Sequence, residues 1–268
     1  MTLLEVTALT KKFAGRDTPA VDNVSLSLGA ESALGIVGES GSGKSTTARL
    51  IAGLIKADSG SVLFDGQELV GASQRTLRGV RKDLQFVFQD PFSSLNPRMR
   101  VSELVGEGLL VHGIEKDART RRDLVVQTLE SVGMGSEHLD RYPRSFSGGQ
   151  RQRIAIARAI AVKPRVLICD EPVSSLDVSV QAQVLNLLAA LRAELGISIL
   201  FIAHDLAVVR YLCDQVAVMS EGKVVESGPR DAVYGDPQHP YTRSLLAAVP
   251  IPDPTAERAR RAALRADL

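Results

Sequence analysis

The sequence predicts an α/β fold in which a parallel-sheet core is interrupted by an all-helical insert. Three observations carry this reading. Short apolar runs at 32–37, 84–88, 166–169 and 199–203 are of the kind buried on both faces of a sheet. Helical patterns alternate with them, as parallel strands require. Between about residues 90 and 160 that alternation stops and only helical patterns remain.

In chain order, residues 3–9 alternate in part and 21–28 alternate apolar with polar residues, so both read as strands. The run at 32–37 leads into a glycine-rich turn and then an apolar helical stretch at 44–54. Residues 61–64, between Gly60 and Asp65-Gly66, form another short strand, and 84–88 a buried one. Residues 90–97 are turn-rich, with prolines, serines and an asparagine. Helices follow at Val101–Val111, 117–132 and 149–161. Strand 166–169, helix Val178–Leu195, strand 199–203, helix 206–213 and strand 216–219 restore the alternation. The expected division is a core at 1–89 and 160–230, an insert at about 90–160, and an extension at 231–268. The stretch 257–268 carries four arginines and reads as a solvated helical tail.

Composition narrows the function classes. A chain of 268 residues is about 1.8 average domains, enough for a full core without staples. Lys and Arg total 32 against 31 Asp and Glu, a net charge of +1, which argues against a protein built to grip nucleic acid. The longest apolar stretch, 197–203, is far short of the ~20 residues of a spanning helix. The N-terminus has no basic region followed by an apolar one, so no secretory signal is expected. Cys169 and Cys213 lie in apolar runs and read as buried small hydrophobes, consistent with the cytosol.

The chemistry begins at Gly38-Glu39-Ser40-Gly41-Ser42-Gly43-Lys44-Ser45, which fits G-x-x-x-x-G-K-[ST] between an apolar strand and an apolar helix. Glycines let successive N–H groups point inward to cradle phosphate oxygens, and the helix dipole adds positive character. Lys44 is placed to reach the β- and γ-phosphates of a nucleotide, the Ser45 hydroxyl to ligate Mg²⁺, and Thr46 follows in the first helical turn. Downstream, the strand 166–169 ends in Asp170-Glu171. Asp170 is assigned to the metal and Glu171 to polarising the attacking water as general base.

Phe146-Ser147-Gly148-Gly149-Gln150, followed by Arg151-Gln152-Arg153 and an apolar helix, resembles the signature sequence of the ABC ATPases. By itself it is a second serine–glycine turn opening a helix, hence a second anion-binding terminus. The resemblance implies the fold of that family: a P-loop NTPase core, an antiparallel β subdomain and an inserted helical subdomain. It implies further that the signature contacts the γ-phosphate held by a second subunit. Gln89 then corresponds to the Q-loop glutamine that senses Mg²⁺ and the attacking water. Ser174-Ser175-Leu176-Asp177 resembles the D-loop that crosses the dimer interface, and His204 the switch histidine at the γ-phosphate. Phe13 falls where the family stacks an aromatic on adenine; core packing is the other reading of that residue. His112, His138 and His239 show no ligand spacing and read as structural or surface residues.

Residues 89–98 and the stretch 236–243 with 245–250 resemble ATPases of the dipeptide, oligopeptide and nickel importers. That resemblance implies a second ATPase subunit, two membrane permeases, a solute-binding protein upstream of them, and work at the cytoplasmic face of the inner membrane. The position of residues 90–100 between the core and the insert makes them the expected docking surface for a permease helix. The alternatives are an importer of nickel or another small solute, and a non-transport ABC ATPase. The extra C-terminal cysteines that hold an iron–sulfur cluster in some relatives are absent, so no cluster is expected.

Overall fold

A computed structural model of the chain describes residues 2–248. The expectations for 249–250 and for the arginine-bearing tail at 257–268 lie outside the described residues.

Strands β1 (Thr2–Lys11) and β2 (Val21–Gly29) pair antiparallel. The chain then enters a second sheet at β3 (Ala33–Val37) and turns into α1 (Lys44–Ile51). β4 (Ser59–Phe64) and β5 (Gln67–Glu68) return to the first sheet, whose order is β2-β1-β4-β5. α2 (Gln74–Val80), capped by the Ser73 hydroxyl, precedes β6 (Leu84–Val87). The helical stretch comprises α3 (Pro91–Ser94), α4 (Val101–Val111), α5 (Ala118–Ser131) and α6 (Gly148–Ile160). Next come β7 (Val166–Asp170), α7 (Val178–Leu195), β8 (Ser198–Ala203) and α8 (Leu206–Leu212). β9 (Gln215–Ser220), β10 (Lys223–Pro229), α9 (Arg230–Gly235) and α10 (Pro240–Ala247) complete the described chain.

The second sheet runs β10-β9-β3-β8-β7-β6, parallel throughout except for β10 at its edge. β3, β7 and β8 are buried at every residue, which accounts for their apolar runs: neither face meets water. Side chains that alternate across a strand feed two separate cores. Ala33 and Val37, Leu167 and Cys169, and Ile199 and Phe201 join the core shared with α4 to α8. Leu34 and Ile36, Val166 and Ile168, and Leu200 and Ile202 join the one shared with the antiparallel sheet and α1. Cys169 and Cys213 are buried free thiols.

The structure departs from the expected elements in several places. The turn-rich stretch 90–97 contains α3, because Asp90 caps it with its carboxylate and Pro91 supplies the fixed φ of a first helical residue. The helix expected at 44–54 ends at Ile51, and Gly53 turns the chain away with φ +61°. Residues 223–229, given no element from the sequence, form the antiparallel edge strand β10.

Candidate functional site

Parallel pairing brings the C-terminal ends of β3, β8, β7 and β6 to one edge of the sheet, where ligands of open α/β sheets bind. Each end releases one functional segment: 38–45 after β3, Gln89 after β6, Asp170-Glu171 at β7 and His204 after β8.

The phosphate loop is shaped by glycine. At Gly43, φ is +102°, and a Cβ there would stand 2.4 Å from the Ala20 carbonyl oxygen. No other residue fits that approach. The Lys44 side chain is only 3% exposed. Its Nζ donates to the carbonyls of Gly38 and Glu39, both at 2.8 Å, and lies 4.0 Å from Glu171 Oε1. Burial holds the Lys44 ammonium below its usual pKa, while Glu171, Asp170 and Glu39 act in the opposite sense. A desolvated ammonium with a carboxylate as its counter-charge is ready to meet an incoming anion.

Asp170 is fully buried, accepts from Ser45 Oγ at 2.6 Å, and has Arg49 Nη2 3.5 Å from its second oxygen. Glu171 adopts a left-handed backbone (φ +45°), which an L-residue takes at some strain. That conformation brings its carboxylate within 2.9 Å of Gln89 Nε2 and 3.8 Å of His204 Nδ1.

The loop, Gln89 and Glu171 line a cleft of about 580 Å³, whereas Asp170 and His204 are not among its lining residues. Phe13, Ser40, Gly41, Gly43, Lys44, Ser45, Thr46, Gln89 and Glu171 contribute to it, and Phe13 is 38% exposed with Lys11 Nζ 5.7 Å from its ring centroid. Gly38 and Glu39 support it through the Lys44 bonds, and the buried Ser42 carbonyl accepts from Gly222 N–H. The hydroxyl and carboxylate of Ser45 and Asp170, with the amide oxygen of Gln89 nearby, are hard oxygen donors suited to Mg²⁺. Among the described residues no group of three or more His, Cys, Asp or Glu could hold a metal alone. The remaining ligands would therefore come from phosphate and water, the usual arrangement for Mg²⁺.

Ser147, Gly148, Gly149, Gln150 and Asp177 do not line this cleft. Ser147 and Gln150 form a reciprocal capping box at the start of α6 (3.3 and 3.1 Å), with Ser147 and Gly148 exposed. Asp177 caps α7, accepting from Val180 N–H and Ser179 Oγ. The two helix starts adjoin: Cβ atoms at Gly148 and Gly149 would meet Leu176 at 3.4 Å and Val180 at 2.4 Å. The chain thus presents two faces, a cleft that can hold a triphosphate and a separate helix start whose Ser147 and Gly148 are exposed.

Arg16, Arg49 and Tyr241 are side chains at the site not singled out from the sequence. Arg16 lines the cleft, Arg49 faces Asp170, and Tyr241 accepts a hydrogen bond from Glu39 N–H. Arg49 carries a local signal, being one turn beyond Ser45 on the same helix. The other two have none.

Residues 21–174 match the family model for ABC transporters, and the chain belongs to that family. Residues 225–266 match the model for the oligopeptide/dipeptide transporter C-terminal region. The chain is 50% identical over 264 residues to the oligopeptide transport ATP-binding protein OppF of Bacillus subtilis, covering 96% of this chain and 86% of that protein. It is 50% identical over 254 residues to the glutathione import ATP-binding protein GsiA of Salmonella paratyphi A, which covers 94% of this chain but only 40% of that longer protein. A solved ATP-binding cassette, dimeric in a post-hydrolysis state with ADP and Pi, is similar in fold with a TM-score of 0.77 at 28% identity. That match covers 85% of this chain and 98% of the other.

Proposed function

We propose that this chain is the ATP-hydrolysing subunit of an ABC importer for peptides, acting at the cytoplasmic face of the membrane. The observation that carries the reading is the joining, in one chain, of the cleft at the 38–45 loop to a C-terminal region of the oligopeptide/dipeptide transporter type. The names of the relatives at 50% identity support the peptide as cargo. Among the described residues no helix is long and apolar enough to cross a membrane; the reading assigns the transport path to partner permeases.

The work of each residue follows from its place. The loop 38–45 binds the phosphates through backbone N–H groups, and Lys44 turns its ammonium from the Gly38 and Glu39 carbonyls to the β- and γ-oxygens. Mg²⁺, when bound, neutralises charge on the phosphate oxygens. Ser45, Asp170 and Gln89 would hold it. Glu171 takes the proton of the attacking water on its carboxylate, which Gln89 orients at 2.9 Å. His204, 3.8 Å from Glu171, stabilises charge on the transferring phosphoryl. Phe13 stacks on the base.

Ser147, Gly148, Gly149 and Gln150 act in trans, closing the α6 start over ATP held by a second cassette, with Asp177 at the seam. The dimeric state of the solved cassette supports this arrangement. A nearby surface suits the permease: residues 90–100 adjoin a groove of about 650 Å³ between α4 and α5, lined by Met99, Gly106, Leu110 and Val125. Leu110 and Val111 are 52% and 53% exposed there, an apolar edge a permease helix would cover.

The test is uptake of a labelled oligopeptide into proteoliposomes holding this chain and its permeases. ATP-dependent uptake, abolished by Glu171→Gln, is expected. ATP-dependent uptake of a metal ion with none of any peptide would overturn the cargo. Substituting 90–100 should lower uptake while ADP affinity stays intact, and lost ADP affinity would count against docking there.

A further inference from the structure

The C-terminal segment returns to the phosphate loop. α9 packs on β9 and β10, and beyond it Tyr241, the second residue of α10, places its hydroxyl 3.0 Å from the Glu39 nitrogen, which donates to it. These residues are 202 positions apart. The other side of Glu39 is also engaged, for its carbonyl accepts from Lys44 Nζ at 2.8 Å. Tyrosine hydroxyl, Glu39 backbone and Lys44 ammonium therefore form one connected series.

The hydroxyl is held in position by its own surroundings. The Tyr241 ring packs against the large core, and its backbone N–H donates to His239 Nδ1 at 3.2 Å. The connector before α10 is pinned to β10, where the Glu226 carboxylate accepts from the N–H groups of Gln238 and His239 at 2.8 and 3.0 Å. Arg243 Nε closes the turn on the Pro237 carbonyl at 2.8 Å. The loop it touches is glycine-rich and has many conformations to lose. A fixed acceptor at its first bend narrows that ensemble before any ligand arrives.

We infer that Tyr241 is a positioning residue of the nucleotide site, holding the Glu39 bend, and through it the resting place of Lys44, in the binding conformation. The inference rests on the reading of 38–45 as the nucleotide phosphate site. Without the hydroxyl a smaller fraction of chains holds a competent loop, and the apparent dissociation constant rises by the inverse of that fraction. One net hydrogen bond of ~1 kcal/mol corresponds to about fivefold.

The experiment is titration of the full chain with ADP and ATP, alongside steady-state ATPase kinetics. Tyr241→Phe keeps the ring and removes only the acceptor. Both nucleotides should bind about three- to tenfold more weakly, KM for ATP should rise in step, and kcat should stay within about twofold, since bound nucleotide itself orders the loop. Tyr234→Phe removes the other tyrosine hydroxyl of the segment, which donates to the Leu206 carbonyl at the head of α8. It should leave ADP affinity within about twofold of wild type. Unchanged affinity in Tyr241→Phe overturns the inference. So does equal weakening in both variants, or a loss confined to kcat. Lys44→Ala in the same titration separates the two readings. If it binds ADP like wild type, the nucleotide site is misplaced; if it alone binds poorly, only the role of Tyr241 fails.

Discussion

Replacing Glu171 with glutamine removes a charge and a basic oxygen while keeping the shape of the side chain. The remaining amide oxygen can still accept from Gln89 Nε2, which stands 2.9 Å away. The fold should therefore be little disturbed. Losing a positioned general base lowers turnover by roughly 10²–10⁴, or about 3–5 kcal/mol of barrier. The missing charge acts in the opposite sense on binding. Lys44 Nζ lies 4.0 Å from the Glu171 carboxylate, and the two side chains are 3% and 13% exposed. At that separation the attraction is of order a few kcal/mol before screening, and an anionic phosphate then replaces the lost counter-charge of Lys44 beside Asp170 and Glu39. Phosphate release at saturating ATP should thus fall at least about 100-fold, with ATP affinity equal or tighter. Size-exclusion chromatography with ATP should show an accumulated dimer. Turnover within about tenfold of wild type would refute Glu171 as base. A matching loss of ADP affinity would refute it too, by making the residue a support for the loop.

Three further outcomes follow from the geometry. In Gly43→Ala the new methyl would sit 2.4 Å from the Ala20 oxygen at φ +102°. The strain of about 1–3 kcal/mol should lower the unfolding midpoint by several degrees and weaken ADP binding at least about tenfold; wild-type values by thermal melt and titration would contradict the close approach. Burial lowers the Lys44 pKa from its ordinary 10.5, whereas a bound phosphate favours the charged form. ADP affinity should therefore fall as pH rises through the lowered value, by up to about tenfold per pH unit, and a flat profile to pH ~10 would deny Lys44 the contact. By the same linkage the nucleotide-free native chain sheds this proton before the unfolded chain does. This group alone thus makes stability rise with pH in the window below 10.5. Finally, burial pushes both cysteine thiols far above their usual pKa, so a thiol reagent should label neither in the native chain and both after denaturation. Rapid native labelling would place at least one at the surface.

The parts of the molecule legible in the sequence share one property: their signal is local. The phosphate loop is contiguous, and the runs that become β3, β7 and β8 are wholly apolar because both their faces are covered. β10 escaped because an edge strand needs little apolar content, and every one of its residues is half-buried or exposed. α2 is a polar helix of seven residues with only Leu77 and Val80 buried, too short a stripe to read by periodicity. At α3 a signal was present, Asp90 as cap and Pro91 at the first turn, but the same residue types also make turns. Tyr241 lay beyond reach for a different reason. Its partner is a backbone group 202 positions away, and a backbone N–H leaves no trace in side-chain identity.

The helical stretch that separates the two halves of the sheet has no core of its own. Leu104, Val105 and Leu129, from α4 and α5, belong to the same apolar cluster as Leu167 of β7 and Ile199 and Phe201 of β8. Covalently the stretch is an interruption, but energetically it is continuous with the sheet. Cut out as a fragment, it would expose the surface it shares and should not fold alone. Its protection against amide exchange should follow that of the sheet, as one cooperative unit. Any rearrangement of these helices during the catalytic cycle would then be a small sliding within a shared interior rather than the swing of an independent body.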